Sequence, residues 1–468
     1  MRAFLNGHCA SILGAGLRPL LIILVLAGAL PRPAGAGSQP LSLERAIDLG
    51  LASDETLRQA GLAVSGAEGL VKQAKSNAFP QLSFVGQYGR NFLRPSFFLP
   101  AAFLGEGGSG SVAIEIGEDN DFTGAATVSQ VLWAAGRVSA GLEAAKEYLE
   151  SFRYREMATS DYVRFSVKEA YYGALLAAEL LRIEEKASEA AGEAARIAHA
   201  GNEQGVVSKF DLLRADVELA NRKAPLVKAR NDYEQAIIVL KRRCGIGAED
   251  EIGLTDSLTA AARPAGLDTV IGAMRAGSAE IKALEHAVGA QKQFLRIAKA
   301  ERYPMLHLTG SYAVQTQWSS DWLPPSDLIA KSAGVQIGLQ IPIFDGFKAK
   351  GMIETATAGV RSAEVELERV GRDKELAVRQ SYRYIENALI ALEGREESVK
   401  LAEEAHRIAL VRLSNGLAMP IERLDAELAM TTSQAQFAEA LFASRMAQAY
   451  LELAVGSRSF GAVAGTQQ

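Results

Sequence analysis

The residues that most often carry catalysis or bind metals are scattered through this sequence. Its histidines stand singly and have no nearby cysteine, so none forms a pattern of metal ligands: His8, His199, His286, His307 and His406. A glycine-rich run over 105–110 matches the GxGxxG pattern, but no strand–turn–helix context surrounds it, and we interpret it as a flexible extracellular loop. No GK[ST] phosphate loop and no GxSxG motif occur. The sequence therefore predicts no catalytic site, no metal site and no cofactor.

Composition and charge exclude other classes of protein. With 468 residues, 48% apolar and 22% charged, the chain can bury a large core and does not resemble a disordered tail. The formal charge of −5 leaves no basic excess to neutralise phosphates, which argues against a nucleic-acid partner. The two cysteines are Cys9 and Cys244, and we expect Cys9 to be removed, so that Cys244 remains as an apolar filler.

The first 36 residues have the pattern of an export signal. Arg2 and Arg18 give a positive start, the eleven-residue apolar run over 20–30 is too short to span a bilayer, and Ala34-Gly35-Ala36 fits a cleavage site. The alternative is an N-terminal membrane anchor. Beyond residue 36 there is no stretch of 18 uncharged apolar residues that could form a membrane-spanning helix. If the chain crosses a membrane, we therefore expect β-strands to do so.

The rest of the chain is a tandem repeat. From Trp133 onward the sequence recurs at an offset of 211. Upstream of Trp133 the offset is 224, so that Pro80, for example, matches Pro304. The first copy therefore contains 13 extra residues, which we place in a loop. We divide the chain into a signal peptide (1–36), a first repeat (37–245), an inter-repeat linker (246–266), a second repeat (267–456) and a flexible C-terminal tail (457–468).

Each repeat contains one very long predicted helix with shorter partners. Coiled-coil spacing of apolar residues without a proline runs over 137–204 and 348–414, which at about 1.5 Å per residue predicts helices on the order of 100 Å long. The shorter partners are predicted at 54–78, 209–244, 278–302 and 420–456. Two short helices stacked end to end beside each long one would give antiparallel columns.

Between these helices the periodicity changes to two. Apolar and polar residues alternate over 82–88, 122–132, 306–316 and 333–343, runs of about the length of a membrane-crossing strand. A soluble β-layer is the alternative. Four strands cannot close a barrel alone, so their open edges require an oligomer.

Several short motifs resemble the TolC-type outer-membrane efflux family. They are the opening 41–47 (LSLERAI), the strand entry 78–82 (AFPQL), the strand exit 341–346 (IPIFDG), and the turn 205–208 (GVVS) with its copy 416–419 (GLAM). The resemblance extends over residues 41–456, effectively the whole mature chain. It rests on the order, spacing and duplication of the motifs together.

This resemblance implies a mainly α fold with a transmembrane β part. A long antiparallel coiled-coil helical barrel would continue into a trimeric 12-stranded β-barrel with four strands per protomer. The implied function is the exit duct of a tripartite efflux or type I secretion system in the outer membrane of a Gram-negative bacterium, extending into the periplasm. The implied partners are two further copies, a periplasmic adaptor, an inner-membrane pump and outer-membrane lipid.

The family closes its periplasmic tip with acids that follow the helix-turn glycines. The matching residues are Glu422 and Asp425, after Gly416, and Asp211, after Gly205. Repeated around a threefold axis, such acids would form a negative ring that favours cations. Alternatively, they are first-turn acids stabilised by the helix dipole.

Two further positions at the tip bear on the family resemblance. Ala418 and Leu413 replace the arginine and tyrosine that tie the tip closed in well-known members of the family, so we carry over no salt-bridge latch. The residues that match the adaptor-docking tips are Gly205, Val206, Gly416 and Leu417. The competing function is a soluble periplasmic coiled-coil adaptor or scaffold, which leaves the four alternating strands unexplained.

Overall fold

The computed structural model describes residues 39–100, 111–319, 329–415, 417–418 and 420–464. Four of the sequence predictions therefore lie outside the described residues. They concern the export signal (1–36), the glycine-rich run (105–110), Gly416, and the last four residues of the predicted tail (465–468).

Two helices of 67 residues each dominate the molecule, α3 (Arg137–Glu203) and α7 (Lys348–Ser414). Both bounds agree with the predictions, because no proline interrupts either stretch and small or apolar residues recur on one face. At about 1.5 Å per residue each helix is roughly 100 Å long. Within the described ranges, no helix combines the length and the apolar composition needed to cross a lipid bilayer.

Among the described residues there are seven shorter helices, and six of them accompany the long ones. They are α1 (Leu43–Ser53), α2 (Glu55–Ser76), α4 (Lys209–Cys244), α5 (Leu267–Gly277), α6 (Ala279–Ala300) and α8 (Pro420–Val455). The predictions for α2, α4, α6 and α8 are confirmed to within about two residues. Helices α1 and α5 were not predicted. Asp54 separates α1 from α2 because its side chain accepts a hydrogen bond from the Leu57 N–H and starts a new helix there.

The short helices stack along the long ones as predicted. In the half of the molecule next to the sheet, adjacent helices follow the order α2, α3, α6, α7. In the opposite half the order of adjacent helices is α4, α3, α8, α7. Each half of the molecule is thus a layer of four adjacent helices. Helix α7 lies at one edge of both layers, and α2 or α4 lies at the other edge.

A four-stranded antiparallel sheet follows in the order β2, β5, β7, β8. Its strands are β2 (Gln81–Arg90), β5 (Asn120–Trp133), β7 (Met305–Trp318) and β8 (Ile329–Gln340). The prediction for the last strand, 333–343, was wrong at its end. Gln340 already pairs with Met305, the first residue of β7, and Pro342 has no N–H to donate. Strands β2 and β8 leave the two edges of the sheet unpaired.

Two further strand pairs were not predicted. A hairpin of β3 (Ser96–Pro100) and β4 (Ser111–Glu115) lies within the stretch that we expected to be a loop. The parallel pair of β1 (Gln39–Leu41) and β6 (Ile252–Leu254) joins the start of the first repeat to the linker. These strands have three to five residues, too few for a recognisable alternation.

The main hydrophobic core lies near the middle of α3. Tyr171 and Leu240 are fully buried there among residues of α1 and α4. The hydroxyl oxygen of Tyr171 lies 2.9 Å from the carbonyl oxygen of Leu41 and 2.8 Å from Oδ2 of Asp256, which also accepts a hydrogen bond from the N–H of Leu43. Burial, and next the Asp256 carboxylate, raise the pKa of Tyr171. These contacts attach the linker to the first repeat.

The predicted flexible tail is partly a helix. Residues Ser457–Ala464 form α9, which packs against α5. Gly456, with φ +97°, ends α8 and redirects the chain, and Phe460 then packs against the core cluster that contains Val270 and Leu451. The prediction was wrong for this segment because α9 is held by a core that α5 and α8 build.

Candidate functional site

The two long-to-short helix turns lie at the end of the molecule opposite the sheet. In the first turn, Gly205 has φ +72°, and the N–H of Val206 donates to the carbonyl of Gly201 at 2.8 Å. Ser208 then caps α4, since its hydroxyl oxygen accepts from the N–H of Asp211 at 3.1 Å. A left-handed glycine followed by a capping serine makes this a tight and defined turn.

The second turn closes in the same way on the residues that the structure describes. The N–H of Leu417 donates to the carbonyl of Arg412 at 2.8 Å, and the Asn415 side chain donates to the carbonyl of Val411 at 2.7 Å. Val206 and Leu417 are 80% and 70% exposed. The predicted docking residues therefore include one exposed apolar side chain at the tip of each hairpin.

The three predicted gate acids have different surroundings. Asp211 lies in the first turn of α4, 2.6 Å from the hydroxyl of Ser208, which agrees with its alternative interpretation as a helix-start acid. Glu422 lies 3.1 Å from Arg412 across the second turn. Asp425 is exposed and has no ion-pair partner among the described residues. Both Glu422 and Asp425 lie within the first two turns of α8.

Arg412 is a tip residue that the sequence analysis missed. Its Nη1 lies 3.1 Å from Oε2 of Glu422, and its Nη2 donates to the carbonyl oxygen of Leu417 at 3.1 Å. The guanidinium thus links α7, the turn and α8. The sequence contained one indication, a cation and an anion ten residues apart on either side of a short turn, although the contact depends on the geometry of that turn.

A pocket of about 250 Å³ separates the two hairpins just behind the turns. Its apolar wall includes Ile197, Val207, Leu413 and Leu424, whereas its polar residues are Asp211, Arg214, Glu218 and Arg423. The structure therefore brings Asp211 and Leu413 to one pocket, which neither Glu422 nor Asp425 lines.

An ion pair on α8 lies deeper than the exposed acids. Nη2 of Arg423 lies 3.2 Å from Oε2 of Glu427, and these side chains are only 15% and 6% exposed. Removing one partner of such a pair leaves a buried charge without compensation, which is costly. Only the i, i+4 spacing of this pair is visible in the sequence, not its burial.

The described part of the chain gives little support for metal binding or for a nucleophilic cysteine. No group of three or more histidine, cysteine, aspartate or glutamate residues there could hold a metal ion. Cys244 is buried, and its thiol contacts the carbonyl oxygen of Ala46 at 3.6 Å. Burial raises the pKa of this thiol to about 11, as suits a packing residue rather than a nucleophile.

The two faces of the four-stranded sheet have different chemistry. Residues directly opposite each other on paired strands share a face, so the register assigns each side chain to one side. One face is predominantly apolar: Leu82, Phe84, Tyr88, Phe122, Val128, Leu306, Leu308, Tyr312, Val335, Ile337 and Leu339. The other is predominantly polar: Ser83, Gln87, Thr123, Thr127, Ser129, Thr309, Ser311, Gln315, Ser332, Gln336 and Gln340.

No described residue of the chain covers the apolar face. Phe84, Val335 and Ile337 are 70%, 78% and 66% exposed. A contiguous apolar surface of this extent is unusual on a protein in water and marks a surface that contacts something else. Beside a face of Ser, Thr and Gln, it has the two-sided pattern of strands that separate lipid from water.

Comparison with known proteins identifies the family. The chain matches the outer membrane efflux protein family over residues 46–245 and 270–457. It belongs to this family. The protein is therefore a transport protein of the outer membrane.

Individual relatives agree with this membership. Protein CyaE of Bordetella pertussis is 25% identical over 345 residues, which cover 73% of this chain and 68% of that protein. The CmeC outer membrane channel of Campylobacter jejuni aligns with a TM-score of 0.72 at 16% identity, covering 88% of this chain and 85% of that one. The MtrE outer membrane channel of Neisseria gonorrhoeae, solved in an open state, aligns at 0.70 and 20% identity, with 88% of each chain covered. The efflux-family fold of mostly helices with a small β part is therefore confirmed.

Proposed function

We propose that this protein is the passive exit duct of an efflux or type I secretion system. Three copies would pair the open edges of β2 and β8 and supply twelve strands to one barrel in the outer membrane. The observation that carries the proposal is the division of the sheet into one apolar and one polar face, because closure would turn the first toward lipid and the second toward a water-filled lumen.

The helical layers support the same assembly. Their edge helices α4 and α7 expose apolar side chains along the tip half: Phe210, Leu213 and Val217 on α4, and Tyr384, Leu401 and Ile408 on α7. Contact between α4 of one copy and α7 of the next would cover both rows and continue the barrel as a tunnel of helices. The α3 and α7 helices, roughly 100 Å long, set the length of this tunnel.

The partners follow from the position of the tips. Energy for export would come from an inner-membrane pump, since the described residues offer no catalytic constellation, and a periplasmic adaptor would contact Val206 and Leu417 at the far end of the tunnel. Glu422 and Asp425 would line the narrow end and favour cations there. We therefore propose a channel without enzymatic activity.

Cell fractionation combined with mass measurement tests this proposal. We expect recovery in the outer-membrane fraction and, after detergent extraction, a particle with three times the mass of the mature chain. A soluble monomer or dimer recovered from the periplasm would support the scaffold hypothesis instead and overturn the duct.

A further inference from the structure

Exposed aromatic side chains gather where the sheet meets the helices. They come from all four junctions between helix and strand and are each about half exposed or more: Phe79, Trp133, Tyr303, Phe344 and Phe347. We call these five residues the helix-side collar. Aromatic side chains of this kind concentrate where a bilayer meets water.

A β-bulge turns Trp133 toward the apolar face. Val131 pairs with His307 on the polar face, and the next pair joins Trp133 to Leu306, so that Leu132 is skipped. Without the bulge, Trp133 would alternate onto the polar side. The irregularity therefore extends the apolar face by one large aromatic ring.

The second repeat places a phenylalanine where the first has glycine. At the offset of 211, Phe344 corresponds to Trp133 and Phe347 to Gly136. Gly136 and Phe347 share a left-handed backbone, with φ +80° and +69°. This conformation disfavours a bulky residue. Nevertheless, Phe347 remains 70% exposed and contacts the ring of Phe344, with 5.8 Å between centroids.

Basic side chains without ion-pair partners surround the collar. Lys75, Lys299, Arg302 and Lys348 are exposed, and none forms a salt bridge within the described residues. Lys75 Nζ lies 6.0 Å from the ring centroid of Phe79.

The acids nearby have other partners. Glu301 pairs with Arg137 at 2.7 Å, and Asp345 accepts from the N–H of Ala349 at 2.8 Å. The backbone hydrogen bond leaves the charge of Asp345 in place, so the surface next to the collar has four unpaired cations against this one carboxylate and is net positive.

We propose that the helix-side collar and these four cations bind the headgroups of anionic phospholipids in the inner leaflet of the outer membrane. The inference rests on the proposed function and names its lipid partner. The collar continues the apolar face of the sheet, and the cations complement a phosphate-bearing headgroup layer. A lipid surface also explains why an exposed phenylalanine occupies a position that suits glycine.

Fluorescence quenching of Trp133 tests the preference for anionic headgroups. The sequence has three tryptophans, so the W318F/W322F protein keeps Trp133 as its single tryptophan. It is reconstituted in phosphatidylcholine vesicles that contain an equal fraction of either brominated phosphatidylglycerol or brominated phosphatidylcholine. We expect the anionic lipid to be enriched about tenfold next to Trp133. K75Q/K299Q/R302Q/K348Q should lower the enrichment of anionic over zwitterionic lipid next to Trp133 to about one. K209Q/K223Q removes exposed cations at the tip half of the molecule and should leave this enrichment unchanged.

The other outcomes separate the two proposals. Equal quenching by both lipids in the unmodified collar would overturn the headgroup preference but leave the duct intact. Absence of quenching by either lipid would mean that Trp133 does not contact lipid and would overturn the assignment of the collar; the proposed function would fail as well only if the protein were also missing from the outer-membrane fraction.

A second variant tests whether another copy of the chain covers the collar. In F344S/F347G, residue 347 becomes the glycine found at this place in the first repeat, so the backbone is preserved. We expect this variant to remain a trimer. Dissociation into monomers in detergent would show that the collar packs against a neighbouring copy and would overturn its assignment to lipid.

Discussion

The guanidinium of Arg412 lies 3.1 Å from the carboxylate of Glu422, so that an ion pair spans the turn between α7 and α8. The two side chains are 51% and 43% exposed, and an exposed pair of this kind contributes only about 0–1 kcal/mol to stability. Its larger consequence concerns charge. Glu422 is compensated, which leaves Asp425 as the main source of net negative charge at this tip.

The gate assignment predicts a change of ion selectivity. In E422A/D425A, Arg412 would remain without its carboxylate partner, so a ring of three tips would change from net negative to net positive. We expect higher conductance and a loss or reversal of cation preference, measured as the reversal potential in a salt gradient. R412Q should have the opposite effect and strengthen the preference for cations. Unchanged conductance and selectivity in E422A/D425A would contradict the assignment.

Asp211 offers a matched comparison at the first turn. Because its carboxylate contacts the Ser208 hydroxyl and lies near the start of α4, D211N should mainly weaken the helix start, by about 0.3–1 kcal/mol. Thermal unfolding and ion selectivity should be measured together. A change in ion selectivity as large as that of E422A/D425A would mean that Asp211 lines the pore as a gate acid.

The two faces of the sheet predict opposite responses to a charge at neighbouring positions of β8. V335K places a lysine on the apolar face, where it should cost about 2–4 kcal/mol near the middle of a bilayer and reduce insertion. Q336K places the same charge on the polar face and should insert normally. The measurement is the fraction of heat-modifiable trimer in outer membranes. Equal insertion of both variants would mean that the faces are assigned wrongly.

The tips predict a defect in coupling that leaves the pore intact. V206D/L417D removes the two exposed apolar tip residues, so we expect loss of cross-linking to the periplasmic adaptor in cells and unchanged conductance in bilayers. Q204D adds a charge to the same first turn without removing an apolar side chain and serves as the control. Wild-type cross-linking by V206D/L417D would exclude these tips as the docking surface.

Cys244 predicts a pH dependence of reactivity and stability. Because burial raises its pKa from 9.0 to about 11, the thiolate fraction at pH 8 is about 100-fold lower than for an exposed thiol, and alkylation of the folded protein should slow by at least that factor. Above pH 9 the unfolded thiol ionises first, so stability should fall as the pH rises toward 11.

Mass spectrometry after timed alkylation, with the denatured protein as control, measures the rate. The stability arm compares the protein with C244A, which should lack this loss between pH 9 and 11. Alkylation of the folded protein at the denatured rate would show that the thiol is accessible.

The two long helices and four of the shorter ones, α2, α4, α6 and α8, could be predicted from the sequence because their determinants are local. An uninterrupted coiled-coil pattern predicted α3 and α7, and a glycine at the helix end marked the first turn. The end of β8 depended on where its partner strand begins, at Met305, which no local pattern in β8 reveals. Similarly, Phe460 makes a helix of the expected tail only through a core that other segments build.

The candidate site was predictable in position but not in its contacts. The family resemblance, counted from the helix-turn glycines, located Asp211, Glu422 and Asp425 beside the turns. The Arg412–Glu422 pair and the buried Arg423–Glu427 pair depend on rotamers and on how the hairpins pack, and both lie outside any repeat pattern.

Planar-bilayer recording of the purified trimer tests the duct most directly. The account predicts discrete, cation-selective channels of small conductance, because in the proposed trimer the strands would enclose a polar lumen and the tips would narrow it. Protein that inserts into no bilayer and conducts no ions, or that remains a soluble monomer under the same conditions, would contradict the account and leave the strands as a periplasmic layer.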